Sequence, residues 1–183
     1  MIHSYKFVTE KQKNDAEALL IRLTHLSFPF LIPFKGKSRD NEHISVSPDI
    51  SHNFDMDHVI SNDIKNKEAF DEQKFIDNVI QGILALTFLH KHKIIHGKIS
   101  KQTVFQTDDG IMRLGPADIT QKMPEEKIPD EEKEKIEKAQ DLYSFGAVMF
   151  ELAELRKLPD ELSKLNSGSK STSPDSYKFK RLP

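Results

Sequence analysis

The stretch Ile94-Ile95-His96-Gly97-Lys98-Ile99-Ser100-Lys101-Gln102-Thr103-Val104-Phe105 decides how the rest of the chain is read. Its outline is an apolar pair, a histidine, a polar stretch and a second apolar pair. Before it, residues from about Asp71 to Lys91 carry Phe75, Val79, Ile83 and Leu86, with Ile76, Ile80 and Leu89 beside them. That wide apolar face predicts a long, mostly buried helix, and Gly82 inside it is expected to permit close helix packing. After the stretch, Val104-Phe105, then Thr107-Asp108-Asp109-Gly110, then Ile111-Met112-Arg113-Leu114 read as strand, turn and strand. Asp-Gly between two apolar runs is a strong hairpin signal. Lys122 to Lys138 is a charge run with two prolines, in which Glu131 to Lys135 and Glu134 to Lys138 have the i,i+4 spacing of pairs on a solvated helix. Asp141 to Leu155 is apolar nearly all round and predicts a buried helix.

Towards the N-terminus, Tyr5-Lys6-Phe7-Val8 is compatible with a strand. Ala16, Leu19, Leu20, Leu23 and Leu26 form a helical stripe over about Asp15 to Leu26, with Asp15 near the N-cap and Phe28-Pro29 as the stop. Phe30-Leu31-Ile32 and Ile44-Ser45-Val46 predict short strands around a polar turn from Gly36 to Glu42. His52 to Asn66 reads as loop plus a short helix, and Ser167 to Ser176 as a loop.

Composition bounds the function. A chain of 183 residues, 37% hydrophobic and 31% charged, fits one globular domain. Lys and Arg number 27 against 29 Asp and Glu, so composition gives no support for nucleic-acid or anionic-membrane binding. Cysteine is absent, which removes disulfides, thiolate metal sites and cysteine nucleophiles and fits a reducing compartment. Met1 to Lys6 carries no apolar run of signal-peptide type, and no segment approaches the ~20 apolar residues of a membrane span. A soluble, cytoplasmic protein is expected.

The order of long helix, Ile-Ile-His loop, Asp-Gly hairpin and then Asp141-Leu142-Tyr143-Ser144-Phe145-Gly146-Ala147-Val148-Met149-Phe150-Glu151-Leu152 resembles the C-terminal lobe of a eukaryotic protein kinase, most nearly the tyrosine-kinase-like group. Leu26-Ser27-Phe28-Pro29-Phe30-Leu31-Ile32-Pro33-Phe34 is similar to the link between helix C and strand 4 of the N-terminal lobe. Leu158-Pro159-Asp160-Glu161-Leu162 through Ser173-Pro174-Asp175 resembles the late helices of the C-terminal lobe. The resemblance implies an α+β, protein-kinase-like bilobal fold over 1–183. About 1–47 would be an abbreviated N-terminal lobe, a small antiparallel sheet plus helix C, and about 48–183 a mainly helical C-terminal lobe with a shortened activation segment. It also implies structural anchors: Asp141 holding the backbone of the loop and His96 packing beneath the site.

The same resemblance shows what is missing. Phosphoryl transfer needs a carboxylate to accept the hydroxyl proton, two metal-holding groups and a lysine on the phosphates. The signature places an Asp two residues after the His and an Asn five residues later; Lys98 and Thr103 stand there. An ammonium offers only donors, and a lysine acts as a base only when burial depresses its pKa. Threonine is a shorter, neutral metal ligand. Pro116-Ala117-Asp118 aligns with Asp-Phe-Gly, and proline has no ligand atom, although a register slip would make Asp118 a surrogate carboxylate. The catalytic-loop lysine maps to Ser100, with Lys101 adjacent.

The N-terminal lobe has no Gly-x-Gly-x-x-Gly before Tyr5; Lys6 reads first as a solvated strand lysine and, as the alternative, as the phosphate-binding lysine, whose helix C glutamate then falls near Leu19, with Glu17 close by. Met123-Pro124-Glu125 is the remnant of Ala-Pro-Glu, and Thr120 is the only hydroxyl residue between Pro116 and Asp141, which argues against activation-loop switching. His90, His92 and His96 lie close together, but no Cys or carboxylate spacing completes a zinc set. No metal is expected, and no cofactor, with ATP binding without Mg as the alternative. The implied function is a pseudokinase, a catalytically inactive module that binds protein partners. Lys98 in place of an acid makes the former substrate groove more positive by roughly two charges, suited to an acidic or phosphorylated segment. The competing readings are a residual serine/threonine-type protein kinase using Asp118 and Lys6, a nucleotide-sensing module, and a degenerate product.

Overall fold

A computed structural model describes residues 3–7, 9–40, 43–66, 71–119 and 130–154. Strand β1 (His3–Lys6) leads into α1 (Glu10–His25), followed by β2 (Phe34–Arg39) and β3 (His43–Pro48). These strands form an antiparallel sheet in the order β1-β3-β2. Helix α1 starts earlier than its apolar stripe suggests, because Thr9 rather than Asp15 caps it: the Thr9 Oγ1 accepts from the Gln12 amide at 3.2 Å. The turn expected over Gly36 to Glu42 is mostly strand, with Gly36 paired to Ser47 and Arg39 to Ile44. The reversal at Asp40 is closed by two bonds, His43 N to Asp40 Oδ1 at 2.7 Å and Asp40 N to His43 O at 3.1 Å. Alternation along β3 turns Ile44 and Val46 into the core, where Ala16, Leu20 and Leu23 of α1 meet them.

Strand β4 (Asn53–Asp55), helix α2 (Met56–Asn66), helix α3 (Glu72–Lys91), strands β5 (Val104–Thr107) and β6 (Met112–Leu114), and helix α4 (Asp130–Glu154) make the second part. The β4 strand was hidden in the polar run after His52; it pairs with β5, giving the sheet order β4-β5-β6. The Asp-Gly turn forms between β5 and β6, with Gly110 at a φ of +84° that other residues rarely adopt. Asp71 caps α3 through its Oδ1 and the Lys74 amide at 3.0 Å.

Helix α3 is less buried than its width of apolar residues predicts. Leu86, Leu89 and Ala85 are buried, whereas Ile76, Ile80, Ile83 and Leu84 are exposed among the described residues. Helix α4 likewise buries one side only: Phe145, Val148, Met149 and Leu152 face α3 and β6, and Leu142 is exposed. Its N-terminal turns carry the Glu134–Lys138 pair at 2.6 Å and a Lys133–Glu137 pair. Residues 120–129 and 155–183, which include Thr120, Met123-Pro124-Glu125, Leu158 to Leu165 and Ser173-Pro174, lie outside the described residues.

Gly82 lets α3 and α4 approach. A β-carbon there would stand 2.1 Å from Phe145 Cζ and 2.5 Å from Met112 Cε. The two parts are joined where the segment after α1 lies along β6: Ile32 N donates to Leu114 O at 2.8 Å and Leu114 N to Phe30 O at 2.9 Å. The Arg22 guanidinium of α1 also donates to the carbonyls of His92 and Lys93. No helix of the described residues is long and apolar enough to cross a membrane.

Candidate functional site

The Ile94–Phe105 loop leaves the C-terminus of α3 and is held from below by α4. Asp141, 2% exposed, accepts from His96 N at 2.8 Å through Oδ2 and from Gly97 N at 2.8 Å through Oδ1. His90 Nε2 lies 2.9 Å from Oδ2. Gly97 has a φ of +69°, a left-handed conformation that favours glycine and lets two consecutive amides point at one carboxylate. The fully buried His96 ring lies 3.2 Å from the Gly115 carbonyl through Nε2. Burial pushes its pKa down, against opposing pulls from the Asp141 carboxylate, the Gly115 carbonyl and Asp118.

Thr103 is buried, and its single hydroxyl is fully engaged inside the loop. Oγ1 lies 2.6 Å from the Lys98 carbonyl and accepts from the Ser100 amide at 2.8 Å. The Thr103 hydroxyl thus braces the loop's own backbone. Lys98 is exposed, and among the described residues it has no ion-pair partner. The burial that base catalysis by a lysine requires is therefore not there. Lys101 is neutralised instead: its ammonium pairs with Asp57 at 3.0 Å and Glu151 at 2.9 Å, and hydrogen bonds to those carboxylates raise its pKa. The Lys101 carbonyl accepts from the Met56 amide at 2.8 Å, fastening the loop to the start of α2.

Pro116 is buried, and its ring presents no ligand atom. Asp118 is half-buried; its amide donates to the His96 carbonyl at 2.8 Å. Its charge also reaches Tyr5, whose phenol is pushed up mainly by burial and secondarily by Asp118. Asp118 is therefore placed between the β1 sheet and the loop.

The register of β1 decides which side chain faces that space. Tyr5 pairs with Ile44, and directly opposed residues of an antiparallel pair share a face. Tyr5 and Phe7 pack on the apolar cluster, while Lys6, opposite His43, is exposed on the other face. The inward position in β1 belongs to Tyr5, a residue that the sequence reading passed over although Tyr5 and Phe7 alternate with Lys6. Glu17 of α1 pairs with Arg39, to which Glu10 also lies at 3.6 Å. Among the described residues no group of three or more His, Cys, Asp or Glu side chains is arranged to hold a metal ion.

No family model matches the sequence. Serine/threonine-protein kinase Nek1 of Mus musculus is 25% identical over 108 residues, 59% of this chain and 9% of that protein. Putative serine/threonine-protein kinase A of Trypanosoma brucei brucei is 21% identical over 200 residues, 96% of this chain and 46% of the relative. Among solved structures, the Drosophila melanogaster PAN3 pseudokinase superposes with a TM-score of 0.70 at 14% identity, covering 91% of this chain and 45% of that one. The fold is protein-kinase-like. Rad53 1-466 in complex with AMP-PNP superposes with a TM-score of 0.65 at 16% identity over 93% of this chain and 46% of the other. The kinase-like chain spans less than half the length of each of these relatives. Within the kinase-like frame, α1 takes the place of helix C, and α3 leads into the loop whose His96 and Gly97 amides Asp141 of α4 holds.

Proposed function

We propose that this chain is a pseudokinase: a kinase-like domain without phosphotransfer activity that serves as a protein-binding, regulatory signalling module. The observation that carries the reading is the state of three oxygen positions. The base position is an exposed ammonium (Lys98), the second metal position is a hydroxyl already bonded to Lys98 O and Ser100 N (Thr103), and the first is a proline (Pro116). In-line transfer draws its rate from positioned carboxylates and metal ions, and nothing at these three positions supplies either. The likeness in fold to a pseudokinase of PAN3 type is consistent with this but does not carry it. The tyrosine-kinase-like affiliation, a cytoplasmic location and a single domain, with its smaller lobe in about 1–47 and the larger in about 48–183, belong to the same proposal. So does the partner chemistry: an acidic or phosphorylated segment of a protein, drawn to the exposed Lys98.

Calorimetric unfolding with ATP, with ATP plus Mg²⁺ and without either tests the reading. A ligand at about 100 times its dissociation constant adds ~2.7 kcal/mol. A cooperative transition that neither addition moves is the expected result. A shift that requires Mg²⁺ overturns it and favours the second reading, a residual serine/threonine-type kinase built on Asp118. That reading has one observation behind it: Asp118 is half-buried beside the loop, its amide donating to the His96 carbonyl at 2.8 Å. Its own assay is radiolabelled phosphate transfer to a generic acceptor, abolished in Asp118→Ala.

A further inference from the structure

Between the C-terminal end of α1, the segment that follows it and β6 lies a cavity of about 390 Å³. Its floor is buried and apolar, made by Leu23, Ile32, Leu89 and the Gly115-Pro116-Ala117 backbone turn. The exposed rim is formed by Thr24, Ser27 and Pro29. The volume falls within the ~300–1,000 Å³ of small-molecule sites. Among the described residues, neither β1 nor the segment that follows β3 contributes to the lining.

One charged side chain stands in the wall. Arg113 is half-buried, on β6 between two fully buried neighbours, Met112 and Leu114. Its Nε is buried without a hydrogen-bond partner. Among the described residues, no Asp or Glu lines the cavity and no ion pair to Arg113 is formed. A guanidinium recognises planar two-oxygen anions through its donor fork. Phe28, at the mouth, stacks on Phe88 at 4.4 Å between ring centroids and meets Phe30 edge-on at 5.6 Å, so the entrance wall is a fixed aromatic cluster.

We propose that this cavity binds an amphipathic organic anion, a carboxylate with an aliphatic or aromatic body, whose charged end pairs with Arg113 and whose body fills the apolar floor. Occupancy would tie α1 to the Gly115-Pro116-Ala117 turn, linking a small molecule to the position of Asp118 without any nucleotide. The proposal does not depend on whether the front of the molecule is catalytic.

Titration calorimetry of the whole chain with decanoate below its micellar concentration tests it, with decanol and decyltrimethylammonium as neutral and cationic counterparts of equal chain length. Decanoate is expected to bind with about one-to-one stoichiometry and at least about tenfold tighter than decanol, with the cation weakest. Arg113→Met should remove about tenfold of the decanoate affinity and leave decanol unchanged, whereas Arg113→Lys keeps part of it. Ser27→Trp, which fills the mouth from an exposed position, should weaken both. Thermal unfolding of each variant confirms that it folds. Equal affinity for decanoate and decanol, an undiminished affinity in a folded Arg113→Met, or no heat of binding to the wild-type chain would each overturn the proposal.

Discussion

Replacing Asp141 by Asn changes a single atom type at the anchor of the loop, and the cost can be worked from its bonds. Asp141 accepts from His96 N and Gly97 N, each at 2.8 Å, and sits 2.9 Å from His90 Nε2. Asparagine has the same shape but only one acceptor oxygen. Whichever way the amide turns, its NH₂ faces a backbone N–H: with the buried His96 N kept paired, the part-buried Gly97 N–H loses its acceptor. Leaving such a donor unsatisfied costs about 1–3 kcal/mol. The amide bond that survives changes from charge-assisted to neutral, a further loss of about 1 kcal/mol. The total of about 3 kcal/mol is a large part of the ~5–15 kcal/mol that holds a domain folded. Urea denaturation followed by circular dichroism, wild type against Asp141→Asn at pH 7.5, reads it as a lowered midpoint with an unchanged slope. A loss below about 1 kcal/mol would refute the assignment of Asp141 as the element that positions the loop.

Gly82→Ala drives a methyl into Phe145 and Met112 and is expected to destabilise by about 1–3 kcal/mol, with Phe145→Leu recovering part of the loss in a double-mutant cycle. His96 gives a pH signature. Burial lowers its folded-state pKa below the ~6.5 of an unfolded histidine, so the unfolded chain takes up the extra proton first. Stability should therefore fall as pH drops below about 6.5, with a slope of up to ~1.4 kcal/mol per pH unit from this group. The difference between wild-type and His96→Leu urea midpoints over pH 7.5 to 5.5 isolates the contribution, and parallel profiles would contradict it. Lys98→Ala should change stability by no more than about 0.5 kcal/mol, because the side chain is exposed and unpaired among the described residues. The same variant should weaken capture of an acidic or phosphorylated peptide.

Local signals carried most of the elements. The periodicity of α3 and the Asp-Gly hairpin are written in neighbouring residues, so the sequence shows them. What it hid is tertiary. The β4 strand exists because β5 offers it an edge, and Gly36 to Arg39 extend as strand because β3 lies alongside. Ile76, Ile80 and Ile83 look like core residues by type alone, and only the position of α4 shows which side of α3 is covered. At the site, the substitutions Lys98, Thr103 and Pro116 were readable by type and spacing. Their consequences were not: that the Thr103 hydroxyl is spent on the Lys98 carbonyl, or that Tyr5 rather than Lys6 faces inward, follows from hydrogen-bond direction and strand register. Arg113 gave no signal at all, since its place in the cavity wall is set by tertiary packing.

The way Asp141 grips the loop has a consequence for how such a domain can diversify. Its carboxylate holds the amides of His96 and Gly97, and Thr103 holds the carbonyl of Lys98. Those contacts read the main chain, so they are indifferent to which side chain residue 98 displays. The loop works as a socket: the frame beneath is fixed, and the tip can be exchanged at little cost to folding. A lineage with this architecture is free to sample acidic, basic or apolar tips at that position, and so to trade binding partners while the core is left alone.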